Sequence, residues 1–125
     1  SHESELEHNY IHFEYSIQLP ETLTISDVDM TAILSNALEN AIHAVLKLPE
    51  SRREIKLDIR LNEEKLLLSL KNTYADKPEF MNGLPYTSEA GHGFGTKSIW
   101  YVAEKLNGSC QFSVTDTYFI LRVIL

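Results

Sequence analysis

Asn36, Asn40 and His43 recur at i, i+4 and i+7 within Leu34-Ser35-Asn36-Ala37-Leu38-Glu39-Asn40-Ala41-Ile42-His43-Ala44. On a helix that spacing puts their polar heads on one face, with Lys47 a turn further on. The edge beside them is formed by Ile33, Ala37 and Ala44, and two alanines are small enough to let a ligand approach the backbone. A solvated face is the other reading of such a stripe. Glu and Lys would serve plain solvent better, because they form helices more readily than two carboxamides and an imidazole. A second candidate group is Gly91-His92-Gly93-Phe94-Gly95. Glycines where a loop becomes a helix let backbone N–H groups turn toward a ligand, and the helix end adds about half a positive charge. Phosphate is the natural guest, with a flexible hinge as the alternative. The dinucleotide fingerprint does not apply without a parallel βαβ unit, and the G-K-[ST] ending of a P-loop is missing.

These residues need elements to position them. Met30, Ile33, Leu34, Ala37, Leu38, Ala41, Ile42 and Val45 recur at helical spacing, which predicts a helix from a cap at Ser26 or Asp27 to about Lys47, ahead of Pro49. Ser26-x-x-Asp29 resembles a capping box. Alternation predicts a half-buried strand over 11–19, with Ile11, Phe13, Tyr15, Ile17 and Leu19 inward, and Leu23-Thr24-Ile25 as a short second strand. Ile55 to Leu61 alternate again, turn at Asn62-Glu63-Glu64-Lys65, and return through the leucine-rich 66–71 as a central strand. Residues 73–90 read as one long loop. A helix with Ile99, Val102, Ala103 and Leu106 on one face follows the glycines and stops at Asn107-Gly108. Strands over 110–114 and 118–125, turning at Thr115-Asp116-Thr117, end the chain. The predicted fold class is an α/β (α+β) two-layer sandwich, a mixed and mostly antiparallel sheet with helices on one face.

Composition narrows the partners. With 125 residues, 43% of them hydrophobic, the chain is one domain with a single sizeable core. Residues 1–9 read as a linker from a larger protein and 10–125 as the domain. A net charge of −7 and the lack of any Lys/Arg cluster argue against nucleic acid and against direct membrane contact. Neither feature argues against a nucleotide. The single Cys110 excludes an internal disulfide and makes a reducing, cytoplasmic location the expectation.

The two motifs, in this order and with Lys71-Asn72-Thr73 ending a strand between them, resemble the GHKL superfamily (Bergerat fold). That superfamily includes sensor histidine kinases, DNA gyrase B subunits, MutL and Hsp90-type chaperones. Leu34 to Ala41 resembles its N box and Gly91-His92-Gly93-Phe94-Gly95 its G2 box; the resemblance covers residues 11–125 and is greatest to sensor kinases of the peptide-pheromone-receptor group. It implies ATP and Mg²⁺ as ligands, with Asn40 as the metal ligand and Asn36 where the gyrase and chaperone branches carry a water-activating glutamate. A carboxamide is no base, so phosphate would survive for transfer. His43 would contact phosphate; a structural histidine is the other reading. The family's D-x-G-x-G has no counterpart. Asn72 is the best match, accepting from the adenine amino group through its carbonyl oxygen, and is followed by Thr73-Tyr74-Ala75-Asp76 with no glycine. Phe80 is the candidate for the family's phenylalanine box.

By the same resemblance the chain is the catalytic domain of a protein histidine kinase. Its partners would be its own upstream dimerisation and phosphoacceptor domain and a response regulator, in a homodimeric membrane sensor. His2, His8 and His12 do not sit on a helical hairpin that could present the acceptor. The alternatives are an anti-sigma-factor-type serine kinase and an interaction domain that has lost its nucleotide.

Overall fold

A computed structural model describes residues 2–86 and 94–125. Its central helix, α2 (Asp27–Val45), starts where Ser26 leaves the helical region at φ −66° and ψ 152° and its Oγ accepts from the Asp29 N–H at 3.1 Å. The Asp29 carboxylate has a partner beyond its own helix. It turns to Lys105, whose Nζ donates at 3.0 Å. The helix stops two residues short of the expected end, because Lys47 and Leu48 bond back to Ala44 and Val45 in tighter turns before Pro49.

The strands β1 (His12–Ile17), β2 (Glu54–Asn62), β3 (Lys65–Thr73), β6 (Ser109–Val114) and β7 (Tyr118–Ile124) form one sheet in the order β1-β2-β3-β7-β6. Only β1 and β2 run parallel, as a mixed, mostly antiparallel sheet requires. The turn into β3 holds Glu63 and Glu64 at φ 51° and 71°, the positive values a two-residue hairpin demands. Ile55, Leu57 and Ile59, then Leu66, Leu68 and Leu70, then Phe119, Leu121 and Val123 point to the helix layer and are buried. That layer is α2 and α3 (Phe94–Lys105), packed on each other.

Four expectations change. The stretch read as a linker contains a helix, α1 (His2–His8), whose Leu6 is 5% exposed and joins the core. Residues 23–25 form no strand, although Ile25 still packs against the core. The loop over 73–90 holds a hairpin of its own, β4 (Glu79–Met81) and β5 (Leu84–Tyr86), turning at Asn82 and Gly83 with φ 55° and 81°. Asn-Gly is the usual two-residue hairpin turn, and flanking strands of three residues are too short to show alternation. Finally, β1 is not half-buried: Ile11 and Phe13 reach the core, but Tyr15, Ile17 and Leu19 are 66%, 47% and 44% exposed. The alternation is right; the helix layer does not extend over the outer end of this edge strand.

The Asp29–Lys105 pair ties the first turn of α2 to the last turn of α3. Lys105, set against desolvation and helped by Ser26, holds the Asp29 carboxyl below its ordinary range. A depressed carboxylate contributes stability above its unfolded pKa and loses it as pH falls through the folded one. Lys105→Met is therefore expected to lower stability at neutral pH, with the gap between variant and parent closing as pH falls through the lowered range of the Asp29 carboxyl. Paired urea titrations across that window check this; an unchanged gap between variant and parent would contradict it.

Candidate functional site

The site begins at the end of β3. The alternation that buries Leu66, Leu68 and Leu70 carries Asn72 to the same face, where it is 2% exposed. A buried carboxamide must find partners, and its Nδ2 donates to the Thr73 carbonyl at 2.8 Å. With the nitrogen committed, the carbonyl oxygen is the accepting end of this side chain. Thr73 is anchored in turn: its hydroxyl donates to the Arg52 carbonyl at 2.7 Å and accepts from the Glu54 N–H at 3.1 Å.

Across from β3, α2 supplies Ala37 and Asn40. Together with Asn72 they line a narrow crevice, about 10 Å³ of cavity, whose remaining walls are Leu70, Ile99, Phe112, Phe119 and Leu121. Phe119 pairs with Asn72 and Leu121 with Leu70 in the β3–β7 register, and the Phe112 and Phe119 rings lie 5.8 Å apart. A partly apolar group carrying donors and acceptors would match these walls chemically once they part to admit it. Ala37, buried at 3% exposure, sets the width on the helix side.

Asn36 does different work. Its Nδ2 donates to Ala32 one turn back at 2.8 Å, and its Oδ1 faces the first turn of α3. A Cβ placed on Gly95 would lie 3.6 Å from that oxygen and 3.7 Å from the Asn36 carbonyl, which is ordinary contact. The protein itself therefore leaves room for alanine at 95. Thr96, the next residue, is 3% exposed. Of the four polar residues buried among the described residues, Asn72 and Thr73 end β3, Thr96 lies in the first turn of α3 and Asp29 in the first turn of α2.

The structure thus brings Asn40 and Asn72 to one cleft and sets Asn36 against Gly95. His43, half-buried, is one turn beyond Asn40 and is not among the cleft's lining residues. Gly91, His92 and Gly93 lie outside the described residues, and Phe94 opens α3. Phe80 is on β4, 41% exposed, and pairs with Pro85 away from the cleft lining. Sequence reasoning did not find Ile99, Phe112, Phe119 and Leu121 as walls. Ile99 falls on the apolar face of the predicted helix and the other three within predicted strands, and only the sheet order places them around Asn72. Among the described residues no group of three His, Cys, Asp or Glu side chains could hold a metal. A cation at Asn40 would therefore take most of its oxygens from a bound ligand and water.

The family model for the GHKL domain matches residues 25–125, which contain the Asn36–Asn40 stripe, Asn72 and the cleft. The chain belongs to the GHKL domain family. No curated protein matches its sequence significantly. Among solved structures, this GHKL domain is similar to the catalytic domain of histidine kinase ThkA at TM-score 0.77 and 19% identity, covering 98% of this chain and 83% of that one. It is similar to the Acinetobacter baumannii histidine kinase AdeS at TM-score 0.72 and 14% identity, covering 98% of this chain and 57% of that one. A histidine kinase domain from the Erythrobacter litoralis blue-light activated kinase EL346 gives 0.73 and 12%, covering 99% and 56%. At these identities the likeness is one of fold. The GHKL domain spans little more than half the length of the AdeS and EL346 chains.

Proposed function

We propose that this GHKL domain binds ATP with Mg²⁺ and passes the γ-phosphoryl group to a histidine on a separate helical domain, as the catalytic domain of a two-component sensor kinase. The observation that carries this reading is the pairing of Asn40 with the buried Asn72 across one apolar-walled cleft. The Asn72 carbonyl would accept from the adenine amino group while Leu70, Ile99 and Phe119 hold the ring. Asn40 would offer its side-chain oxygen to Mg²⁺, and His43 would reach a phosphate oxygen. Gly91, Gly93 and Gly95, with His92 and Phe94, would bring backbone N–H groups to the phosphates; at Gly95 the need for glycine would come from the ligand, since the protein accommodates a Cβ there.

Bound Mg²⁺ supplies charge neutralisation to the phosphates. The chain's own residues position the reactants and withhold a base. Asn36 carries no carboxylate, and its amide is engaged with Ala32 and packed at Gly95, so it cannot activate water. Transfer to an acceptor would then outrun hydrolysis. The partners would be the kinase's own dimerisation and phosphoacceptor domain and a response regulator, in a dimeric parent whose catalytic part is cytoplasmic. No described helix is long and apolar enough to cross a membrane.

Labelled ATP tests the reaction. The purified chain is expected to bind γ-labelled ATP and to take up no acid-labile label until a cognate helical hairpin is added, which then becomes labelled on histidine. His2 and His8 sit on the seven-residue α1 and His12 on an edge strand, so label on any of them would contradict the proposal. Label on serine of an added protein would reassign the domain to a serine kinase.

A further inference from the structure

The edge strand β1 lies at the end of the sheet, with one side of its backbone bonded to β2 and the other unpaired among the described residues. His12 N–H donates to the Arg53 carbonyl at 2.9 Å and Gln18 N–H to the Ile59 carbonyl at 2.8 Å. Even-numbered residues thus serve the parallel partner. By the alternation of a strand, the N–H and C=O groups of Phe13, Tyr15 and Ile17 point to the open edge. Native edges are normally blunted by lysine, proline or a bulge. From Ile11 to Leu19 there is no lysine and no proline, and the β1–β2 register is unbroken from His12 to Ile17. The same stretch exposes an apolar ribbon on the helix side: Tyr15, Ile17 and Leu19 beside the half-buried Phe13, whose ring stacks on Tyr15 at 5.4 Å. The opposite edge, β6, has no large apolar side chain left exposed among its residues.

We infer that this edge pairs with the β1 edge of a second copy of the chain, joining two five-stranded sheets into one of ten across a twofold axis. The residues of β1 are self-complementary in the antiparallel register centred on Tyr15. With the axis at Tyr15, Phe13 faces Ile17 of the second copy, Tyr15 faces Tyr15, Glu14 faces Ser16 and His12 faces Gln18. All outward backbone groups of residues 13, 15 and 17 are then used, in about six hydrogen bonds. Moving the axis to Glu14 would set Glu14 against Glu14, a destabilising like-charge pair. In the Tyr15 register the only acid of the strand meets a serine, and its carboxylate is already bonded to His12 Nε2 at 2.9 Å. Both helix layers lie on the same side, so the two ribbons of Phe13, Tyr15 and Ile17 become one continuous apolar strip. A patch that matches itself is what a twofold interface requires.

Sedimentation velocity of the intact chain across a concentration series is expected to show a reversible monomer–dimer equilibrium. Tyr15→Lys, at a side chain too exposed to matter for folding, should raise the dimer dissociation constant at least tenfold with an unchanged circular dichroism spectrum. The register has a sharper signature in a Cys110→Ser background. Tyr15→Cys places the two cysteines at a pair whose Cα atoms are about 5.5 Å apart, within disulfide reach, and should cross-link on mild oxidation. Ile17→Cys alone, offset by four residues or about 13 Å from its copy, should not. A chain that stays monomeric at every concentration, or equal cross-linking at both positions, would overturn the inference.

Discussion

Asn40→Ala is expected to weaken binding of Mg-ATP about ten- to a hundredfold while leaving metal-free ATP binding within a few fold. Asn40 reaches the cleft from α2 beside Ala37, with Asn72 on the facing strand. Removing a charged-group oxygen contact of this kind costs about 1.5–3 kcal/mol, and the loss falls only on the state that contains the cation. The helix itself gains a better former in alanine, so thermal stability should hold or rise slightly. Isothermal titration with and without Mg²⁺ separates the terms. Equal losses in both conditions would show that Asn40 touches the nucleotide but not the metal.

Gly108→Ala is expected to destabilise the domain by about 3 kcal/mol or more, lowering the melting temperature by roughly 10 °C or more. The reason is close approach and not backbone freedom. Asn107 takes the left-handed position at φ 59° after α3, and Gly108 N–H bonds back to the Ala103 carbonyl at 2.8 Å. A Cβ on Gly108 would lie 2.1 Å from the Ile124 carbonyl oxygen and 3.2 Å from its carbon. Backbone cannot swing aside as a flexible side chain could, so the β6–β7 pairing must shift where Ser109 meets Ile124. Thermal and urea unfolding measure the effect. A variant as stable as the parent would mean that the end of β7 yields freely.

Much of this was legible from residue patterns because the periods were long. The 19-residue α2 shows its stripe and its Ser26 cap, β2 shows its alternation over 55–61 and β3 its leucine run. Asn72 was legible as a polar residue ending a central strand, and the two motif stretches identified the family. The misses share a cause. Alternation in β1 revealed which side chains share a face but not whether helices reach far enough to cover it. The three-residue strands β4 and β5 carry no usable period, so the Asn82-Gly83 turn was their only trace. In α1 a single buried leucine among Glu3, Glu5 and Glu7 sets no pattern, and it needs α2 beside it to become core. The walls of the cleft come from β3, α3, β6 and β7, brought together by a sheet order that no local pattern encodes.

The central claim is that one cleft, between α2 and the end of β3, holds Mg-ATP. Backbone amide shifts of the isotope-labelled chain, followed through a titration with a non-hydrolysable ATP analogue and Mg²⁺, test it most directly. Saturable shifts at Ala37 to Asn40, at Leu70 to Thr73 and in the first turn of α3, reduced when Mg²⁺ is withheld, are the result expected. Shifts confined to the open face of the sheet, around Lys56, Lys71 and Tyr118, or no saturable change at all, would contradict the account.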